Sequence, residues 1–201
     1  MIGEDILDLF ADLGDVGMLL ALILIIWLDG TAFPTVPEIW MVFIFGARSD
    51  SFPLLAWGIT IVIVATLAGL AGNLTLYSLV KIAKLPHWIQ KKMRQYTQFL
   101  IVKDERLLIL NRFAPIVPYT GAFVAACGWN LRKSVLYLAV SGMAKSAVIV
   151  LISWLSFDNL RQEAAFWVAV GTVGILVGAS IVSSLVYRWR ARKRGEIARS
   201  Q

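Results

Sequence analysis

Residues 111–121, "NRFAPIVPYTG", place an arginine and two prolines inside an otherwise apolar run. Upstream, "FPTVPEIW" at 33–40 does the same with two prolines and a glutamate, and both stretches hold a Pro-x-Val-Pro core, at 34–37 and 115–118. Proline lacks the backbone N–H and fixes φ, so Pro34, Pro37, Pro115 and Pro118 are expected to interrupt helices. At membrane depth such irregular backbone is tolerated only when buried in protein or lining a wet cavity. The fold turns on whether these are two kinked spans or two matched breaks.

The membrane setting follows from composition. Of the 201 residues, 59% are hydrophobic, against an apolar share of about 45–50% in soluble domains, and mean hydropathy is +0.75. No Pro/Gly/Ser-rich linker divides the chain, so 1–201 reads as a single membrane domain. The lone cysteine, Cys127, excludes an intrachain disulfide and a cysteine metal cluster. The lone histidine, His87, sits among lysines, and neither a metal nor a cofactor is expected. Residues 1–15 carry Glu4, Asp5, Asp8, Asp12 and Asp15 and no Lys or Arg, the reverse of a secretory signal's basic start. Ile2, Ile6, Phe10 and Leu13 recur there at helical spacing, which predicts an amphipathic lead-in at the surface or a solvated helix before the first span.

A spanning helix needs about 20 residues. Residues 164–187 form an uncharged span, 134–157 another interrupted by Lys145, and 54–83 a long one; 16–28 can cross if extended into the lead-in. About four spans are therefore expected, leaving 33–46 and 107–127 as the proline-bearing segments. Lys and Arg are concentrated in 81–106 and in the tail 188–201, both of which should be cytoplasmic. Two spans separate them, so 107–127 must enter and leave on one side as a re-entrant hairpin. By the same count, 33–46 dips in from the outside, "GARSDS" (46–51) is outside, and the N-terminus is cytoplasmic. Interruptions at matching places in two inverted halves are the best sequence pointer to a transporter's midplane site.

Ionisable groups within spans cost about 2.5–3.5 kcal/mol each on insertion scales and default to functional hypotheses. Glu38, Arg112 and Lys145 are three such groups. Arg112 precedes the second break; its guanidinium matches a phosphate bidentately, and a half-helix beyond Pro118 would aim free N–H groups at the same place. Glu38 follows Pro37 and suits a group that gains and loses a proton as a cavity opens. Lys145 faces the cavity as a second cation or as the partner of Glu38; a Ser141–Lys145 dyad is the weaker reading, since no oxyanion arrangement accompanies it. Asp29 reads as a boundary residue at the outer end of the first span.

Ala65, Gly69, Gly72 and Asn73, and Gly171, Gly174 and Gly178, mark close helix packing. Asn73 and Tyr77 share a face and could line the cavity, with Tyr119 counted among the substrate contacts. Between the halves, 87–102 reads as an amphipathic surface helix against anionic lipid.

Arg112, Pro115, Pro118 and Gly128, together with Pro37–Glu38 and Gly72, Asn73 and Tyr77, resemble in order and spacing the DedA superfamily, which shares the VTT or SNARE-associated domain. The resemblance covers about 25–157. Pro118 stands where many bacterial members have a second arginine, and Val80–Lys81 where Gly-Arg is usual. The family implies lipid movement, of polyprenyl phosphate carriers such as undecaprenyl phosphate or of phospholipids, proton-coupled in some members and scrambling in others. The expectation is a non-enzymatic flippase or scramblase of the cell membrane. Its partners would be phosphate-headgroup lipids and protons, with a homodimer allowed and no nucleic acid. A proton-coupled exporter of small cations and a non-transporting scaffold are the alternatives.

Overall fold

At each proline-bearing stretch the chain turns back on itself. The structure, a computed structural model, describes residues 14–31, 33, 35–49, 52–83, 104–113, 119–159, 167–175, 178, 179, 182 and 186, and among these there is no strand. Six helices carry the architecture: α1 (Gly14–Thr31), α2 (Pro37–Gly46), α3 (Leu54–Ile82), α4 (Leu107–Phe113), α5 (Thr120–Cys127) and α6 (Leu131–Asn159). Residues 167–175 are also helical. Pro34, Pro115, Pro118, residues 1–13 of the lead-in, the 87–102 surface helix and the 188–201 tail lie outside the described residues.

By length and composition α1, α3 and α6 can each cross a bilayer. Their surfaces agree with that setting. Leu55, Ile59, Ile63 and Leu67 form an exposed stripe at four-residue spacing on α3, and Leu136, Val140, Met143, Leu151 and Leu155 are likewise exposed on α6. A soluble helix would carry polar residues on that face.

The halves are built alike and face opposite ways. α1 leads to the first break and α2 runs back. Ser49, just beyond α2, donates its backbone N–H to Asp15 Oδ1 at 3.1 Å, so the chain returns to the level where α1 began. α3 then starts from that end. In the second half, α4 leads to the second break and α5 runs back. There the Asn130 N–H donates to Glu105 Oε1 at 2.8 Å, tying the start of α6 to the start of α4. The first hairpin thus begins level with the start of α3, and the second level with the start of α6. This corrects one detail of the sequence count, which put 46–51 on the side opposite the start of the first span. The chain reverses between α1 and α2, so residues 46–49 and the start of α1 share an end.

Local chemistry explains the reversals. Side chains brace the first break: Thr35 Oγ1 donates to the Ile25 carbonyl of α1 at 3.0 Å, and Trp40 Nε1 donates to the Thr35 carbonyl at 3.1 Å. Each returning helix opens on a non-glycine residue in the left-handed region, Val36 (φ 48°) before α2 and Tyr119 (φ 51°) before α5. Such conformations cost about 1–2 kcal/mol and persist only where surroundings enforce them. α5 ends at Gly128 (φ 69°), where the Gly128 and Trp129 N–H groups donate back to the Ala125 and Val124 carbonyls. That Schellman pair needs a left-handed residue that glycine supplies without strain.

The main core joins Leu22 and Ile26 of α1, Val42 and Phe45 of α2, Trp57 and Ile61 of α3 and Ile149 of α6, with Ala169 and Val173 covering it. Fully buried Trp57 donates its indole N–H to the Ile44 carbonyl at 3.1 Å, satisfying a group that α2 leaves open near its end. A smaller core of Leu108, Val124 and Leu138 holds the second hairpin.

Candidate functional site

The ends of α1 and α4 and the start of α2 meet α3 and α6 at a cavity of about 490 Å³, its open mouth included. α1 contributes Asp29 and Gly30, α2 Pro37 and Glu38, α3 Thr66 and Gly69, α4 Arg112, and α6 Gly142 and Lys145. Lys145 is the central residue of α6, and Gly69 lies one residue past the centre of α3. The cavity therefore sits halfway along both 29-residue helices.

Four charges share it. Lys145 Nζ donates to Glu38 Oε1 in an ion pair between α6 and α2. The Glu38 side chain is 10% exposed and that of Lys145 32%, so the acid is the buried partner. Arg112 reaches in from the last turn of α4. Its Nε is buried and, among the described residues, has no hydrogen-bond partner. Two glycines flank its guanidinium: a methyl added at Gly69 or Gly142 would sit in ordinary van der Waals contact with Nη2, at 3.6 and 3.9 Å. Asp29, exposed at the mouth, accepts a long 3.4 Å hydrogen bond from the Thr35 N–H. Coulombic interaction couples Asp29 to Glu38, Lys145 and Arg112. The hydroxyls nearby are engaged within their own helices: Thr66 Oγ1 donates to the Val62 carbonyl at 2.7 Å, and Ser141 Oγ to the Tyr137 carbonyl at 2.6 Å. With Lys145 held by Glu38 instead, Ser141 and Lys145 do not form a dyad.

Glu38, Arg112 and Lys145 are thus brought together, and Pro37 opens α2 beside them. Asp29 is the residue that sequence reasoning missed. Its place at a helix end made it look like a boundary group, whereas the reversal between α1 and α2 leaves that end lining the cavity. Asn73 and Tyr77 are elsewhere, in a small apolar pocket with Leu70, Gly121, Val124 and Leu138. Asn73 Nδ2 donates to the Gly69 carbonyl at 2.8 Å within its own helix. Gly121 presses against the Asn73 carbonyl, so the start of α5 lies against α3 and is not part of the Arg112 cavity wall. Tyr119 is 57% exposed. Among the described residues no group of three His, Cys, Asp or Glu could hold a metal.

Among the described residues, the fold and cavity together define an all-helical arrangement with three candidate membrane spans and a mixed-charge cavity at the mid-length of the two longest. Compared with protein-family models, with curated proteins and with solved structures, the chain matches none.

Proposed function

We propose that the protein moves a phosphate-headgroup lipid across the cell membrane, as a flippase or scramblase of the DedA type. The observation that carries this reading is Arg112: a guanidinium with a buried, unpartnered Nε in a cavity halfway along two membrane-length helices. A buried guanidinium N–H without an acceptor is costly, and a phosphate is the ligand its planar fork fits best. The lipid's chains would stay in the bilayer beside the exposed apolar faces of α3 and α6. On this reading the hairpins α1–α2 and α4–α5 are re-entrant, entering from opposite leaflets as an inverted repeat. Segment 164–187 supplies a further crossing. The basic segment 81–106 and the tail face the cytoplasm, and the start of α1, which lacks Lys and Arg nearby, faces the other side. Glu38 would exchange a proton as Lys145 leaves and rejoins it.

Proteoliposomes carrying labelled polyprenyl phosphate or labelled phospholipid, with and without a pH gradient, test the proposal. Lipid movement by wild type, lost in Arg112→Ala and made gradient-insensitive in Glu38→Gln, is expected. Equal movement by all three, or none by wild type, sinks it. The second carboxylate, Asp29, favours one competing reading, proton-coupled export of a small cation. Efflux of a cationic dye without lipid movement would select that instead.

A further inference from the structure

We infer that the cavity selects a zwitterionic head group, a phosphate with an ammonium a short way along, and that Asp29 is the residue that makes the choice. This rests on the lipid-moving reading above. Of the four charges, Lys145 and Glu38 neutralise each other directly. That leaves Arg112 on one wall, its Nε unpartnered, and Asp29 at the mouth, its carboxylate holding one long contact to a backbone N–H. These two line the same cavity and feel each other's field, yet form no direct ion pair. A positive and a negative group that face a common space without closing on each other complement a ligand carrying both signs in the reverse order. The phosphate would take Arg112 and the ammonium Asp29.

The arrangement also discriminates. A phosphomonoester dianion at Arg112 would bring its second negative charge into the field of Asp29 and Glu38, with no cation beyond Lys145 to absorb it. Placing like charge against an unwanted ligand is how sites reject it. An anionic diester lacking an amine would satisfy Arg112 and leave Asp29 unanswered. The same chemistry exists in a lipid head group and in a free diester such as glycerophosphoethanolamine.

The test uses full-length protein in phosphatidylcholine vesicles containing labelled phosphatidylethanolamine, labelled phosphatidylglycerol or labelled polyprenyl phosphate. Wild type should move phosphatidylethanolamine faster than either anionic lipid. In Asp29→Asn the ratio of zwitterionic to anionic movement should fall about fivefold, the worth of one partly exposed ion pair near 1 kcal/mol, and Asp29→Glu should restore it. Should Asp29→Asn fail to fold, the wild-type preference alone still decides. Equal rates for the three lipids, or a faster anionic lipid, overturn this inference even if Arg112→Ala abolishes movement and so upholds the lipid reading. Neither lipid movement nor uptake of labelled glycerophosphoethanolamine by wild type overturns both. Uptake of labelled glycerophosphoethanolamine in place of lipid would support the recognition and assign it to the free compound, at the expense of the lipid reading.

Discussion

Removing Lys145 alone would leave Glu38 a largely buried carboxylate without its counter-ion. Breaking a buried pair from one side costs about 3–5 kcal/mol, whereas replacing both partners is often neutral. Because Lys145 is a third exposed, Lys145→Met is expected to destabilise by about 2 kcal/mol, once screening is allowed for. The double variant with Glu38→Gln should recover at least half, measured by denaturation in detergent. Equal stability of single and double variants would mean that the pair contributes nothing. Glu105 gives a pH-dependent counterpart outside the spans. The Asn130 N–H that its carboxylate accepts holds its pKa below the ordinary 4.5. A depressed carboxylate adds stability above its unfolded pKa and loses it as pH falls through the folded value. Acidification below about pH 4.5 should therefore loosen the α4–α6 tie in wild type and not in Glu105→Gln. Since the group is solvent-exposed, the difference should be about 0.5 kcal/mol or less.

At the scale of elements, the contact of α1 with α3 depends on having no side chain at one point. A methyl at Gly72 would lie 2.5 Å from the Trp27 carbonyl oxygen and 3.0 Å from Gly30 Cα, both backbone. Neither atom can step aside without moving a helix, so Gly72→Ala should cost about 1–3 kcal/mol. Gly171→Ala meets nothing within 4 Å and should be neutral or slightly stabilising; thermal unfolding of the two variants makes the comparison. The long helices were legible in the sequence because bilayer thickness imposes a length that an apolar run either reaches or does not. The breaks were legible because proline's missing N–H acts locally. What packs against what was not. The sequence offered Lys145 as a second cation or as the partner of Glu38, and choosing the pair is a tertiary event; so is the folding of Asp29 over the cavity, which a helix-end position disguises. Asn73 and Tyr77 do share a face, as their spacing predicts, but which neighbour covers that face is decided by Gly121 on α5.

Over the whole molecule, apolar surface is turned outward as well as inward, and this gives a test of the setting itself. Leu67, near the centre of α3, is 60% exposed. In water, Leu67→Lys would be harmless or would improve solubility. In a bilayer it should cost about 2.5–3.5 kcal/mol on insertion scales, seen as a reduced membrane-inserted fraction on extraction. One more consequence concerns how the chain is made. Glu38 and its partner Lys145 are 107 residues apart. At roughly 5–20 residues per second, the acid leaves the ribosome about 5–20 s before the lysine exists. For that interval the first hairpin carries an uncompensated carboxylate, which must be protonated or sheltered by the insertion machinery. Synthesis of the second half is therefore what releases the first, and nascent chains halted before residue 145 should remain bound to the factors that insert them.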